Sequence, residues 1–320
     1  MQDAFTCGGM GLAGHRGIPW SSSSDGWVAR RRLLTNLYTG IPYQLVGILY
    51  DEMDKAMRIH WLSGVLCALG LACSLAATAE VTDEKWQSMQ RDLFPGKTLQ
   101  QSDLIKITAP RRAESGAQVP FAFSIDHPQG QDKYVKSVSV IVDANPVPLA
   151  AVFHFTPHSG KAELATRIRL ETDSLVHVVA ETSDGQWYVN AAKIRASGGC
   201  GGTIDGDEKE ARQNAGKMRL ALDNEAAEGD LRYARLQIKH PMFTGLQRDL
   251  VSQGFRPAFY ISKIDVRYNG EPVLAADTYI GISEDPNLRL PFTAKGDGTL
   301  TVTIRDNEDN EFTHSLDVRL

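Results

Sequence analysis

Short runs of alternating apolar and polar residues, separated by turn sequences, constrain the fold of this chain more than any other feature. The first half contains seven of them: Leu104–Thr108, Val119–Ile125, Val135–Val142, Ala150–Phe155, Ala162–Leu170, Leu175–Glu181 and Trp187–Ile194. An alternation with period two predicts strands that bury one face. Turn sequences such as Asn145-Pro146 and Ser183-Asp184-Gly185 separate the runs. This spacing predicts an antiparallel sandwich of immunoglobulin-like size.

The strand pattern stops after residue 197 and resumes at residue 231. Glycine-rich and acidic sequence surrounds a helix-permissive stretch at 211–222 in the interval. The later runs are Leu231–Lys239, Phe259–Arg267, Thr278–Ile282, Leu288–Phe292, Thr299–Arg305 and Phe312–Leu320. Tyr268-Asn269-Gly270 predicts a hairpin, because Asn-Gly accepts the positive φ angles of a tight turn. The sequence therefore predicts an all-β protein with two immunoglobulin-like antiparallel β-sandwich domains in tandem, at 80–197 and 230–320, joined by a flexible linker at 198–229.

A short amphipathic helix is predicted ahead of the first strand. Thr82 is a suitable N-cap, and Trp86, Met89 and Leu93 fall on one helical face. Pro95-Gly96 ends the pattern.

Residues 57–79 have the three parts of a secretory signal peptide. Arg58 supplies the basic start, an apolar run follows from Ile59 to Leu75, and Ala77-Thr78-Ala79 is a small-x-small cleavage site. We expect cleavage after Ala79, export to the periplasm, and no stable membrane span afterwards. The alternatives are an uncleaved anchor, which the short apolar core disfavours, and acylation of Cys73, which lacks the usual preceding aliphatic residue.

Residues 1–56 precede this signal, whereas a signal peptide belongs at the amino terminus. We interpret them as a non-native extension and Met57 as the translation start.

Composition excludes one class of partner: the formal charge is −5, and Lys and Arg are scattered rather than clustered. A nucleic-acid partner is therefore not expected.

Cys200 is the cysteine that needs an explanation. Signal cleavage would remove the other three cysteines, so Cys200 would be a free thiol, an intermolecular partner or an attachment point. Four glycines flank it: Gly198, Gly199, Gly201 and Gly202. They predict a flexible arm that bulges outward and lets the thiol enter the active site of another protein. Nearby charges act in both directions on its pKa, since Lys193 and Arg195 would lower it and Asp205 and Asp207 would raise it.

The sequence resembles the two subunits of the sulfur-oxidation carrier. The SoxY-like motifs are Ile107-Thr108-Ala109-Pro110, Ala113-Glu114-Ser115-Gly116-Ala117, Asn145-Pro146, Thr166-Arg167-Ile168-Arg169 and Gly198-Gly199-Cys200-Gly201-Gly202. The SoxZ-like motifs are Lys239-His240-Pro241-Met242-Phe243-Thr244-Gly245, Tyr268-Asn269-Gly270 and Asp306-Asn307. In this family the cysteine arm is a free carboxyl terminus, whereas here it is internal.

The resemblance implies a periplasmic carrier, not an enzyme, whose Cys200 holds a sulfur-containing intermediate as a covalent adduct. It implies as partners c-type cytochromes and sulfur-oxidation enzymes, or a quinoprotein dehydrogenase system, because fused carriers of this kind resemble those associated with quinoprotein alcohol dehydrogenases. It also implies pairing of the two domains, and we expect Cys200 near their junction. No catalytic residue, metal or cofactor is predicted.

Three alternatives remain. A Cys-His hydrolase would use a histidine as its base, but the glycines beside Cys200 do not hold a nucleophile in a fixed geometry. The five candidate bases are His127, His154, His158, His177 and His240. A metal site at His154 and His158 is disfavoured, because Pro157 interrupts the helix that would align them. The strongest alternative is a non-covalent periplasmic adaptor for a quinoprotein (PQQ) alcohol dehydrogenase system, in which Cys200 is incidental.

Overall fold

The N-terminal helix is present and packs as its sequence predicts. The structure, a computed structural model, describes residues 84–204, 207–223 and 228–320. Helix α1 covers 84–93, and its Trp86, Met89 and Leu93 pack against the outer face of a sheet. The predicted extension, the signal peptide with its cleavage site, and the N-cap Thr82 lie outside the described residues.

Seventeen strands, a short 3-10 turn and a second helix make up the rest of the described chain. The first half contains β1 Gln100–Gln101, β2 Ile105–Thr108, β3 Val119–Ile125, β4 Val135–Val142, β5 Leu149–Phe155, the 3-10 turn Pro157–Ser159, β6 Ala162–Ile168, β7 Ser174–Thr182 and β8 Trp187–Ile194. The second half contains β9 Thr203–Ile204, α2 Glu208–Asn214, β10 Met218–Leu222, β11 Leu231–Ile238, β12 Arg248–Asp249, β13 Ile261–Tyr268, β14 Glu271–Thr278, β15 Asn287–Thr293, β16 Gly298–Asp306 and β17 Glu311–Val318.

Two large sheets stack into a sandwich, which confirms the all-β fold. The larger sheet has the order β1-β8-β7-β4-β5-β14-β13-β16-β17, and the smaller has the order β10-β11-β15-β6-β3-β2. Each sheet combines strands from both halves of the chain. The two predicted sandwiches are therefore joined edge to edge, and their inner faces share one hydrophobic core.

Backbone pairing of β5 with β14 forms the seam in the larger sheet. The antiparallel register runs from Leu274 opposite Phe155 to Thr278 opposite Ala151. In the smaller sheet β6 meets β15, where Arg289 lies opposite Ala165. Pairing of the two edges satisfies backbone donors and acceptors that an exposed strand edge would leave open.

Period-two alternation explains why these segments form strands. In β3 the inward positions are Val119, Phe121, Phe123 and Ile125, all buried, and they alternate with more exposed residues. Burying each of these large side chains contributes about 1.5–3 kcal/mol. The predicted bounds of β3, β4 and β8 are confirmed to the residue.

The predicted hairpin is confirmed, whereas the strand predicted after it is wrong. Asn269 and Gly270 have φ angles of 52° and 84°, and Tyr268 pairs with Glu271 across the two-residue turn. The strand after this turn is β14, which ends at Thr278, and residues 279–282 form a turn instead of the predicted strand. Pairing with β5 and β13 on both sides holds this alanine-containing segment as a strand despite its modest intrinsic preference.

The segment predicted as a flexible linker contains regular structure. Asp207 caps α2 by accepting hydrogen bonds from Lys209 N and Glu210 N. Residues 218–222, which belong to the helix-permissive stretch, form strand β10 and pair with β11.

A substitution at the seam should destabilise both halves together. Ala276→Glu places a carboxylate on the inner face opposite Phe153, and we expect about 3–5 kcal/mol lower free energy of unfolding. Urea unfolding of a chain expressed from residue 80 would be followed by the fluorescence of Trp86 and Trp187, both in the first half. Ala275→Glu, on the outer face, is the matched control and should stay within about 0.5 kcal/mol. Unchanged fluorescence transitions in Ala276→Glu would contradict a shared core.

Candidate functional site

The cysteine loop, residues 197–204, follows β8 and lies where β6 ends. Gly116 N donates to Ser197 O at 3.1 Å, and Leu170 N donates to Gly116 O at 2.8 Å. Arg195, just before the loop, forms an isolated parallel bridge with Arg112. These contacts fix the start of the loop against the first half of the chain.

Cys200 is buried in this loop. It is a free cysteine in the described part of the chain, and only 1% of its surface is exposed. The predicted outward-bulging arm with an accessible thiol is therefore wrong for this conformation. The reason is that hydrogen bonds from both halves of the chain hold the loop backbone.

Glu171 holds the loop from the first half. Its Oε2 accepts hydrogen bonds from Cys200 N at 2.7 Å and Gly201 N at 2.9 Å, and its carbonyl accepts from Gly198 N at 2.9 Å. The buried Asn145 orients this segment, since its Oδ1 accepts from Glu171 N and its Nδ2 donates to Arg169 O. Hydrogen bonds to a carboxylate are stronger than neutral ones, which makes Glu171 the main clamp on the loop.

Arg169 lies beneath the loop with 2% of its surface exposed. Its guanidinium donates to three backbone carbonyls: Gly199 O at 3.1 Å, Met242 O at 3.1 Å and Ile282 O at 3.2 Å. Burial lowers the pKa of Arg169, while the charges of Glu284 and Cys200 oppose that effect. One buried cation thus connects the loop to two segments of the second half.

The second half closes the site. Thr244 Oγ1 donates to Cys200 O at 2.7 Å, and Arg248 N donates to Gly202 O at 2.8 Å. At the end of the loop, β9 pairs in parallel with β12. The expectation that Cys200 lies at the junction of the two domains is confirmed.

The flanking glycines have different structural roles. A Cβ on Gly199 would lie 2.3 Å from Gly116 O and 2.4 Å from Leu170 O, so this position requires close backbone approach. Gly198 and Gly202 have φ angles of 73° and 98°, which disfavour other residues. The three atoms nearest to a Cβ on Gly201 would all belong to the Glu171 carboxyl group, and the closest, Oε1, would lie 3.4 Å away. The predicted flexibility of these glycines stays a prediction.

The environment keeps the thiol protonated at neutral pH. The pKa of Cys200 is raised to about 11; burial is the largest cause, the Glu171 carboxylate adds to it, and the Arg169 guanidinium opposes both. The thiolate is the nucleophilic form of cysteine, so the closed loop makes Cys200 unreactive. The charges that act on it are thus Glu171 and Arg169, rather than the neighbours in sequence, Lys193 and Arg195.

No histidine in the described residues forms a hydrogen bond with Cys200. His177 Nδ1 bonds Asp143 at 2.8 Å under the ring of Trp86, and His154 Nε2 bonds Asp277 at 2.9 Å. His240 is buried, and burial lowers its pKa to about 4. Its Nδ1 accepts from Met242 N, which gives it a structural role. The described histidines therefore do not provide Cys200 with a hydrogen-bonded base.

The described residues contain neither a metal-binding cluster nor a membrane-spanning helix. Across residues 84–204, 207–223 and 228–320, no group of three His, Cys, Asp or Glu side chains is placed to bind a metal ion. Within the same described ranges, no helix has the length and apolar character needed to cross a bilayer.

Asn145, Arg169 and Thr244 lie in the family-like motifs of the sequence, but their roles in holding the loop, and that of Glu171, are visible only in the structure. Glu171, Asn145 and Thr244 are polar residues in or beside turns, where sequence alone does not fix a partner. Arg169 did carry a signal, since it is a charged residue near the end of the apolar run Ala162–Leu170. A charged residue in such a run needs buried polar partners.

The fold and the site together define a β-sandwich protein with two structural halves and one buried thiol at their junction. The family model for the sulfur oxidation protein SoxY matches residues 90–200, and that for the sulphur oxidation protein SoxZ matches residues 218–317. The chain is therefore a fused SoxYZ-like protein. These domains are carriers or adaptors rather than enzymes, and they indicate a sulfur-oxidation carrier with sulfur-oxidation partners.

Solved structures match part of the chain. The sulfur carrier protein SoxY from Chlorobium limicola f thiosulfatophilum is 25% identical with a TM-score of 0.31, and the match covers 36% of this chain and 94% of that one. The superoxide reductase (neelaredoxin) from Ignicoccus hospitalis is 11% identical with a TM-score of 0.29, and the match covers 31% and 95%. A search of curated proteins found no significant match.

Two alanine substitutions distinguish tight packing from mobility in the glycines. Gly199→Ala should displace the loop and raise the rate of Cys200 alkylation by iodoacetamide about tenfold, because backbone carbonyls block its Cβ. Gly201→Ala should leave that rate within about twofold, since the nearest atom to its Cβ, Glu171 Oε1, would lie 3.4 Å away in ordinary van der Waals contact. Equal effects of the two substitutions would indicate that the glycines serve mobility instead.

The Glu171 charge should control the acidity of Cys200. Glu171→Gln keeps an acceptor oxygen for the two loop amides and removes the negative charge, so the pKa of Cys200 should fall from about 11. Each unit of decrease raises the thiolate fraction at pH 8 about tenfold. The pH dependence of iodoacetamide alkylation measures this pKa. An unchanged profile would exclude a role for the Glu171 charge.

Proposed function

We propose that this protein is a covalent carrier that binds a sulfur-containing intermediate on Cys200 and presents it to partner redox enzymes. The observation that carries this proposal is the position of one free thiol, in the Gly-Gly-Cys-Gly-Gly sequence, where the SoxY-like domain meets the SoxZ-like domain. The SoxY match ends at residue 200 itself.

For a cargo such as thiosulfate, loading is an oxidation. The thiol loses its proton, its sulfur bonds to the terminal sulfur of thiosulfate, and two electrons leave to an acceptor on a partner. A c-type cytochrome is the class of partner suited to take those electrons. The protein contributes the attachment point, and the partners contribute the redox chemistry.

In this proposal the carrier has two states, one with the cysteine loop closed and one with it open. With Cys200 buried and its pKa near 11, loading requires the loop to leave Glu171, Thr244 and Arg248. Opening exposes the thiol to water and so removes the main cause of its raised pKa. The thiol thus becomes reactive where a partner can act on it.

Burial of Cys200 also favours a second candidate, a non-covalent adaptor for a quinoprotein (PQQ) alcohol dehydrogenase system. In that function the sandwich faces bind the partner, and Cys200 contributes only packing. The loop would then stay closed in every functional state.

We also propose that the protein acts in the periplasm after cleavage of the signal peptide at residue 79. The support is the sequence of residues 57–79. A partner cytochrome or quinoprotein dehydrogenase would belong to the same compartment.

The intact mass of protein purified from its native host without reductant tests the carrier. We expect an added mass of tens to a few hundred daltons that a thiol reductant removes, because the cargo is joined through sulfur. Cys200→Ser, which is nearly isosteric, should lack the added mass and lose pathway function while retaining partner binding. An unmodified Cys200 under every growth condition, with function retained in Cys200→Ser, would support the adaptor instead.

A further inference from the structure

Exposed apolar side chains concentrate in one hairpin of the SoxZ-like domain. Among the described residues six large hydrophobic side chains are exposed, and four of them fall within residues 246–255: Leu246, Leu250, Val251 and Phe255. Val251 is 87% exposed and Phe255 is 68% exposed. A cluster of this kind on a surface otherwise rich in polar residues marks an interaction site.

The 246–255 hairpin is braced rather than loose. Asp249 Oδ1 accepts from Val251 N at 2.9 Å and Ser252 N at 2.7 Å, and Asp249 N donates to Gly254 O at 2.9 Å. The Asp249 carboxylate also pairs with the buried Arg256. Val251 and Phe255 are therefore exposed on a fixed turn, which reduces the ordering entropy lost on binding.

The same hairpin is bonded to the cysteine loop. Arg248 N donates to Gly202 O at 2.8 Å, and β12 pairs with β9, which forms the end of the loop. Thr244, which donates to Cys200 O, lies two residues before the hairpin. A protein that binds the hairpin is therefore in a position to disturb the hydrogen bonds that keep Cys200 buried.

We propose that the 246–255 hairpin is the docking surface for the enzyme that loads Cys200, and that docking there gives the enzyme access to the buried thiol. This inference rests on the proposed carrier function. Because the closed loop buries the thiol, a loading enzyme has to bind beside the loop and open it. The apolar hairpin supplies that contact.

The size and charge of the hairpin identify the occupant as a transiently bound protein. A stable interface buries about 800 Å² and 20–30 residues on each partner, more than a ten-residue hairpin offers to a second copy. Anionic membranes attract clusters of basic residues, whereas Arg248 is the single cation of the hairpin and Asp249 its single anion. A carrier that visits enzymes in turn needs a weak contact of this kind.

The test compares enzymatic with chemical loading in the full chain. Val251→Ser combined with Phe255→Ser removes the apolar contact without changing the core, and Leu320→Ser removes an exposed apolar residue elsewhere. Each protein would be purified from the native host without reductant, and the fraction carrying an adduct on Cys200 measured by intact mass. We expect at least a tenfold lower fraction in the double variant and an unchanged fraction in Leu320→Ser.

Iodoacetamide alkylation of reduced protein is the second readout, and its rate should be the same in all three proteins, because the small reagent needs no docking. An adduct fraction equal to wild type in the double variant would overturn the docking surface. So would a loss that accompanies disappearance of a dimer in sedimentation velocity, or of binding to anionic phospholipid vesicles. Absence of any adduct in the wild type would instead overturn the carrier function itself.

Discussion

Backbone pairing between β5 and β14 is the interaction on which the rest of this structure depends. It joins two sandwiches into one, so that a single hydrophobic core lies between the two large sheets. The corresponding contact in the smaller sheet positions the site, because Arg169 and Glu171 follow β6, which meets β15 of the other half. Thr244 and Arg248 approach the same loop from the SoxZ-like domain. Fusion into one chain keeps these partners at a high effective concentration.

Favourable and unfavourable contributions to the free energy of closing the cysteine loop are combined at this site, and a carrier needs them to balance. Glu171, Thr244 and Arg248 hold the loop closed through hydrogen bonds, while burying Arg169 carries a desolvation cost that three carbonyls offset. Burial and the Glu171 charge raise the pKa of the thiol, so closure and low reactivity are one property. A protein that weakens the closure therefore also activates the cysteine.

Local sequence determined much of the fold and little of the site. Alternation located most strands, and Asn269-Gly270 located its hairpin, because both depend on neighbours along the chain. Strand β14 was missed, since pairing on both sides outweighs its weak local preference. Cys200 and its glycines were found from sequence, but their burial was not. It depends on Glu171, Arg169 and Thr244, which lie 29, 31 and 44 residues from Cys200 along the chain.

Burial of Cys200 has a further consequence for the lifetime of an idle carrier. A thiolate attacks peroxides and disulfides, and repeated oxidation by peroxide converts it to sulfinic and sulfonic acids that the protein cannot reverse. A thiol with a pKa of about 11 and 1% exposure is a poor substrate for that damage. The hydrogen bonds of Glu171 and Arg169 to the loop therefore protect the sulfur atom of Cys200, which the proposed carrier function needs in reduced form for each round of transport.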